Sequence, residues 1–136
     1  MSQASASAPI VHPNLDTQWW WEALARGELL VPTCRSCDNR FFPPQAFCPN
    51  CGSQDWHGGA TSGTGKVYSW IVTHRAFSPE FGDDVPYAIV AVDLDDRGRL
   101  IGRYFGDLNS LRDALPVRAT LFSRNDETLL GFEEIG

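Results

Sequence analysis

Three features of the sequence predict a mainly β chain: a capped helical segment near the N-terminus, two Cys-x-x-Cys pairs ten residues apart, and five β-patterned segments after Gly65. The predicted architecture is an N-terminal helix, a rubredoxin-like zinc ribbon and a five-stranded OB-fold barrel. At 136 residues, the chain has room for a metal module of about 40 residues and one small barrel. The expected division is an arm over 1–14, helix and ribbon over 15–62, and barrel over 63–136.

The arm begins Met-Ser-Gln-Ala-Ser-Ala-Ser-Ala-Pro, a small-residue composition that predicts disorder. It lacks the basic start and apolar run of a signal peptide, and no apolar run approaches the roughly 20 residues that span a bilayer. A cytoplasmic protein away from the membrane is therefore expected.

Asn14 or Asp16 can cap a helix running to about Arg26, with Gly27 placed for a left-handed C-terminus. Trp19, Trp20 and Trp21 fan over about 200° of that helix, more than one buried stripe needs. Trp20 and Leu24 share a face, as do Trp21 and Ala25. The surplus aromatic surface either packs on the chain's own core or meets a partner or apolar ligand.

Leu29-Leu30-Val31 predicts a short strand into the first cysteine pair. The pairs are Cys34-Arg-Ser-Cys37 and Cys48-Pro-Asn-Cys51, and they hold every cysteine in the chain. Each pair forms a tight knuckle presenting two sulfurs to one ion, so the four together suit a tetrahedral tetrathiolate site. Gly52 suits the left-handed turn that closes the second knuckle, and Asp38 holds the matching place in the first. Disulfides would need an oxidising compartment, and a redox pair would sit at a helix start rather than among Pro32, Pro43, Pro44 and Pro49. Iron accepts the same ligands as zinc, so both stay open. A closed tetrathiolate leaves no position for water or substrate, which makes the metal structural.

Phe41-Phe42-Pro43-Pro44 predicts a strand and turn between the knuckles. Gly58 to Gly65 reads as a flexible link; without a following Gly-Lys-Ser/Thr and helix it is no phosphate loop. The barrel strands are then expected at Val67–His74, Tyr87–Leu94, Leu100–Phe105, Val117–Phe122 and Leu129–Ile135. Asp95-Asp96-Arg97-Gly98 forms a tight turn between the second and third, and Asp107 caps a helix from Leu108 to about Leu115. Asp93 to Gly98 resembles half of a calcium loop, but Tyr104 stands where a bidentate Glu is required.

His12, His57 and His74 have no nucleophile at a diagnostic spacing, and no hydrolase or zinc-protease motif occurs. With four cysteines committed to metal, the chain reads as a binding or scaffolding subunit without catalytic residues of its own. Tyr68, Trp70, Tyr104 and Phe105 would suit single-stranded nucleic acid. From Lys66 onward, however, eight cations face twelve carboxylates and the whole chain carries −6, a field of the wrong sign for phosphate backbones.

The order of motifs resembles the domain-of-unknown-function family 35 proteins. The resemblance covers about residues 15–135 and rests on Trp20-Trp21-Glu22-Ala23-Leu24-Ala25-Arg26-Gly27-Glu28-Leu29, both cysteine pairs, Phe42-Pro43-Pro44, Gly63-x-Gly65-x-Val67-Tyr68-Ser69 and Pro86-Tyr87-Ala88-Ile89-Val90. Asp38 and Ala114 stand where the family has glycine. The resemblance implies a zinc-ribbon plus OB-fold accessory subunit of thiolase-like enzymes acting on acyl-CoA thioesters. A chain without a fused hydratase suits an aldolase that cleaves steroid side-chain CoA thioesters; a thiolase, acyltransferase or enoyl-CoA hydratase partner is the alternative. By the same resemblance Trp20, Trp21 and Leu24 would contact the partner or the acyl tail. Arg75 and Arg103, flanking the aromatic-rich strands, would meet the CoA phosphates.

Overall fold

The computed structural model describes residues 13–75 and 82–135; most of the expected arm, residues 1–12, lies outside them. A helix α1 (Gln18–Ala25) leads into β1 (Leu30–Cys34) and β2 (Trp56–Ala60), which pair antiparallel as a two-stranded sheet carrying the cysteine loops. Five strands follow: β3 (Thr64–Thr73), β4 (Tyr87–Leu94), β5 (Arg99–Phe105), β6 (Pro116–Arg124) and β7 (Glu127–Glu134). They close into a barrel of order β3-β4-β5-β7-β6, with β5 and β7 parallel and every other pair antiparallel. This is the closed Greek-key connectivity of an OB fold.

The Asn14 side chain accepts from the N–H groups of Asp16 (2.9 Å) and Thr17 (3.0 Å), so the chain turns on Asn14 just ahead of α1. At the other end Gly27, at φ 84°, donates to Leu24, and Glu28 donates to Ala23, the paired bonds of a Schellman stop. The three tryptophans take three destinations. Trp20 is buried in the main core and donates Nε1–H to the Leu30 carbonyl at 3.1 Å. Trp19 lies 5.3 Å from Trp56 of the ribbon, and Trp21 packs edge-on against Trp20 at the surface.

Three expectations are corrected. Between the knuckles only Arg40 bridges to Thr33, without a strand. The two phenylalanines serve different cores: Phe41 is buried with Cys34 and Cys48 beside Trp56, whereas Phe42 packs on Trp20. Gly58 and Gly59 of the expected link belong to β2, paired with β1. They are small because other side chains occupy the space: a Cβ on Gly58 would stand 2.9 Å from the Trp19 ring, and one on Gly59 2.5 Å from Thr33 Oγ1. Finally, the helix expected after Asp107 is a single 3-10 turn, Leu108–Ser110. Asp107 does cap it, accepting from Asn109 N–H, but Ala114 and Leu115 are drawn into hydrogen bonds with Val67 instead of continuing a helix.

The barrel interior is filled by Val67, Val90, Val92, Leu100, Val117 and Phe132, all essentially inaccessible. Trp20, Leu24 and Val31 join the same cluster, so helix and ribbon are packed onto the barrel.

Candidate metal centre

The four cysteine sulfurs lie within 4.8 Å of one another. Cys34 and Cys51 are 3.6 Å apart, and Cys37 and Cys48 3.7 Å. Four thiolates about 2.3 Å from one ion at tetrahedral angles stand about 3.8 Å apart, so these spacings fit a shared cation. They are far too long for a disulfide at about 2.05 Å.

The two knuckles are built alike. Asp38 N–H donates to the Cys34 carbonyl (3.0 Å) and Gly52 N–H to the Cys48 carbonyl (2.8 Å). Both closing residues are left-handed, Asp38 at φ 65° and Gly52 at φ 79°. A Ser36–Ser53 hydroxyl contact of 3.0 Å ties one knuckle to the other. Around the sulfurs, Asn50 N–H donates to Cys48 Sγ (3.4 Å) and the Asn50 amide to Cys37 Sγ (3.5 Å). N–H groups aimed at sulfur stabilise thiolate, and Cys34, Cys48 and Cys51 feel that differently. The Cys37 N–H brings Cys34 below the ordinary thiol range, against its burial. At Cys48 burial is the largest influence and pushes upward, yet the N–H groups of Cys51 and Asn50 and the Asn39 amide outweigh it, leaving a value of about 6. At Cys51 the Ser53 N–H pulls downward, but crowding by Cys37, Cys34 and Cys48 drives it up to about 12. A cation among the sulfurs removes that crowding. With Cys34 and Cys48 buried and all four positions filled by protein, the centre can brace the loops and leaves no open coordination position for a substrate.

The other residues singled out from sequence are dispersed. Trp20 and Leu24 are buried in the chain's own core, and Trp21 borders a cleft beneath α1. Arg75 is exposed just past β3. Arg103 is partly buried, 2.7 Å from Asp84, with its guanidinium carbon 4.9 Å from the Tyr87 ring centroid and 5.3 Å from that of Phe105. Asp84 also pairs with Arg124, and these guanidiniums, Arg124 first and then Arg103, hold its carboxyl below the usual range against burial.

Sequence reasoning missed the group that fastens ribbon to barrel. The Arg40 side chain, 8% exposed, donates to Thr33 Oγ1 and to the carbonyls of Ala60 and Asp96, and pairs with the Asp96 carboxylate. Asp96 in turn accepts from Thr61 Oγ1 and Ser62 N–H. Burial pushes its carboxyl upward most, but those donors and Arg40 bring it below the usual range. Beside it, Arg97 donates to the Asp38 carbonyl at 2.7 Å and pairs with its carboxylate. Nothing local marks these residues in sequence, because Arg40 and Asp96 are 56 positions apart.

Comparison with known proteins agrees with this architecture. The profile of the "ChsH2, rubredoxin-like zinc ribbon domain" matches residues 21–57, and that of the "ChsH2, C-terminal OB-fold domain" matches residues 60–121. The chain is 38% identical over 93 residues to the probable enoyl-CoA hydratase alpha subunit of Thermomonospora curvata, covering 68% of this chain and 28% of that one. It is 29% identical over 119 residues to the 3-oxo-4,17-pregnadiene-20-carboxyl-CoA hydratase alpha subunit of Mycobacterium tuberculosis, covering 87% and 37%. It thus spans well under half the length of either curated relative. A solved structure, described as the "Ltp2-ChsH2(DUF35) aldolase", superposes with a TM-score of 0.79 at 32% identity, over 93% of this chain and 98% of that one. Ribbon and barrel together thus superpose on nearly the whole of that solved chain, and this protein belongs to the ChsH2 (DUF35) family of rubredoxin-like zinc ribbon plus OB-fold proteins.

Proposed function

We propose that this chain is the non-catalytic accessory subunit of a thiolase-like aldolase acting on acyl-CoA thioesters, with steroid side-chain thioesters as the preferred substrate class. Near-complete coverage of the DUF35 chain in the aldolase structure carries this reading. The hydratase alpha-subunit relatives support a CoA thioester substrate, one of them bearing a steroid skeleton. They also favour the alternative of a hydratase partner. In either assembly the partner supplies the reacting groups, and this chain braces it beside the acyl-CoA channel.

In this reading Cys34, Cys37, Cys48 and Cys51 hold one structural zinc ion. Iron is the alternative, and it is distinguished by its colour and by elemental analysis. Trp21, which borders the cleft, is the tryptophan proposed to meet partner or acyl chain, since Trp20 and Leu24 are occupied internally. Arg75, exposed just past β3, and Arg103, paired with Asp84, are the residues proposed for the CoA phosphates.

The test is reconstitution with a thiolase-like subunit. Cleavage of a β-hydroxyacyl-CoA into a ketone and a shorter thioester is followed with this chain, the partner and both together. Activity confined to partner-containing samples and raised by this chain is expected. Turnover by this chain alone would refute the accessory role, and enoyl-CoA hydration by the assembly would replace the aldolase with the hydratase.

A further inference from the structure

β3 changes character along its length. At Val67 it is sealed into the fold: its N–H donates to Leu115 and its carbonyl accepts from Ala114, both at 2.9 Å. A bulge between Val67 and Ser69 then turns the strand. Trp70 and Ile71 are sequence neighbours and so face opposite sides of the sheet, yet they are 39% and 64% exposed. Trp70 pairs with the fully buried Val90 and faces inward, whereas Ile71 pairs with Ile89 on the outer face. The strand therefore overhangs the core. Among the described residues β6 pairs with β3 only over Thr64–Lys66, so no strand runs along the outer edge of residues 69–73. That stretch, Ser-Trp-Ile-Val-Thr, contains no proline or charge, the usual protections of a free edge.

Apolar surface continues from this edge. Ile71 and Ile89 adjoin Ile101, which is itself exposed, and the face runs into a cleft of about 260 Å³ whose wall includes Trp21 and Phe42. The charges along it are satisfied within the chain. Arg99 pairs with Asp93 at 2.6 Å and covers the Tyr68 ring at 3.7 Å, and Arg103 shares Asp84 with Arg124. The surface is thus largely apolar, with its charges in ion pairs within the chain.

We propose that the edge of β3 beyond its bulge, the outer face of β4 and β5, and the cleft beside Trp21 form one docking surface for the thiolase-like subunit. This rests on the accessory-subunit reading above. The partner contributes an uncharged apolar face with an extended segment laid along residues 69–73. A small molecule would fill the cleft and leave the edge unpaired. A second copy would set two chains of charge −6 against each other, and phosphate-bearing ligands would meet guanidiniums already paired with Asp93 and Asp84.

Ltp2, named with ChsH2 in the solved aldolase, serves as the probe, with binding measured by calorimetry. The Ile71→Glu/Ile101→Glu variant alters two exposed side chains, and Phe47→Ser, exposed on the ribbon, is the control. The proposal expects the double variant to melt like the unsubstituted chain and bind Ltp2 about a hundredfold more weakly, with the control unchanged. It also expects the amides of residues 69–73 to gain protection from hydrogen exchange in the complex. Full binding by the double variant, or no protection of those amides, overturns the surface while leaving the accessory role standing. A free chain that self-associates through this face, becoming monomeric in the double variant, assigns the surface to a second copy and overturns the proposal. Failure of the unsubstituted chain to bind Ltp2 overturns the aldolase-partner reading, and the surface falls with it.

Discussion

Asp38 and Ala114 carry left-handed backbone at φ 65° and 64°. An L-residue there costs about 1–2 kcal/mol, part of which glycine returns through its looser unfolded chain. Ala114→Gly is therefore expected to stabilise the protein by about 0.5–1 kcal/mol, read as a rise of about 2–4 °C in melting temperature. Asp38→Gly gains less, because it gives up the ion pair with Arg97, an exposed contact worth under about 1 kcal/mol. Both positions were legible as departures from a glycine pattern. Asp84 was not, since only the fold brings it to Arg103 and Arg124. Its carboxyl is held down by those guanidiniums, so its stabilising contribution is present above the unfolded carboxylate value near pH 4 and is lost as pH falls through the lower folded one. Denaturation midpoints measured from pH 6 to 2 should fall steeply in the parent below about pH 4 and less steeply in Asp84→Asn, which starts lower at neutral pH. Equal slopes would mean that Asp84 does not report the acid limb.

Among the elements, β2 separates what pattern reveals from what packing decides. Its glycines look like linker because glycine is the commonest residue of flexible chain, yet here they make room for Trp19, Thr33 and Arg40. A linker would accept a methyl group at Gly59. In this strand the added Cβ would meet Thr33 Oγ1 at 2.5 Å and the Arg40 guanidinium at 2.9 Å, so Gly59→Ala should cost about 1–3 kcal/mol by chemical denaturation. Arg40→Met tests the same junction from the other side. It strands the partly buried acceptors of Thr33, Ala60 and Asp96 and should cost about 2–4 kcal/mol. Strands β4 to β7 were legible to within a few residues because alternation and the turns at Arg97-Gly98 and Asn125-Asp126 are local signals. The helix expected after Asp107 was not, because the competing bonds of Ala114 and Leu115 to Val67 join residues nearly 50 positions apart.

Across the whole molecule the two modules differ in what holds them. The barrel closes on a core of valine, leucine and phenylalanine, whereas the ribbon's own cluster is Phe41, Cys34 and Cys48 with Trp56 against it. So small a cluster cannot offset the ordering of the cysteine loops, and bound zinc supplies on the order of 10–16 kcal/mol in such modules. Chelation at neutral pH should therefore collapse the ribbon first. Near-ultraviolet dichroism and fluorescence should change as Trp56 and Trp19 lose each other, while far-ultraviolet dichroism keeps the barrel's β signal. Restoring one equivalent of zinc should restore both. Collapse of the ribbon also frees Arg40 and Asp38 from the hairpin at Asp96-Arg97, the element that joins β4 to β5. The outer face of those two strands includes Ile89 and Ile101, so metal loss should weaken Ltp2 binding even while the barrel stays folded. Cys48→Ala should reproduce the metal-depleted state without chelator. A Cys48→Ala chain that binds Ltp2 with parental affinity would show that the ribbon contributes nothing to the docking surface, and a metal-free preparation with unchanged tryptophan signals would show that the four sulfurs need no ion to stay together.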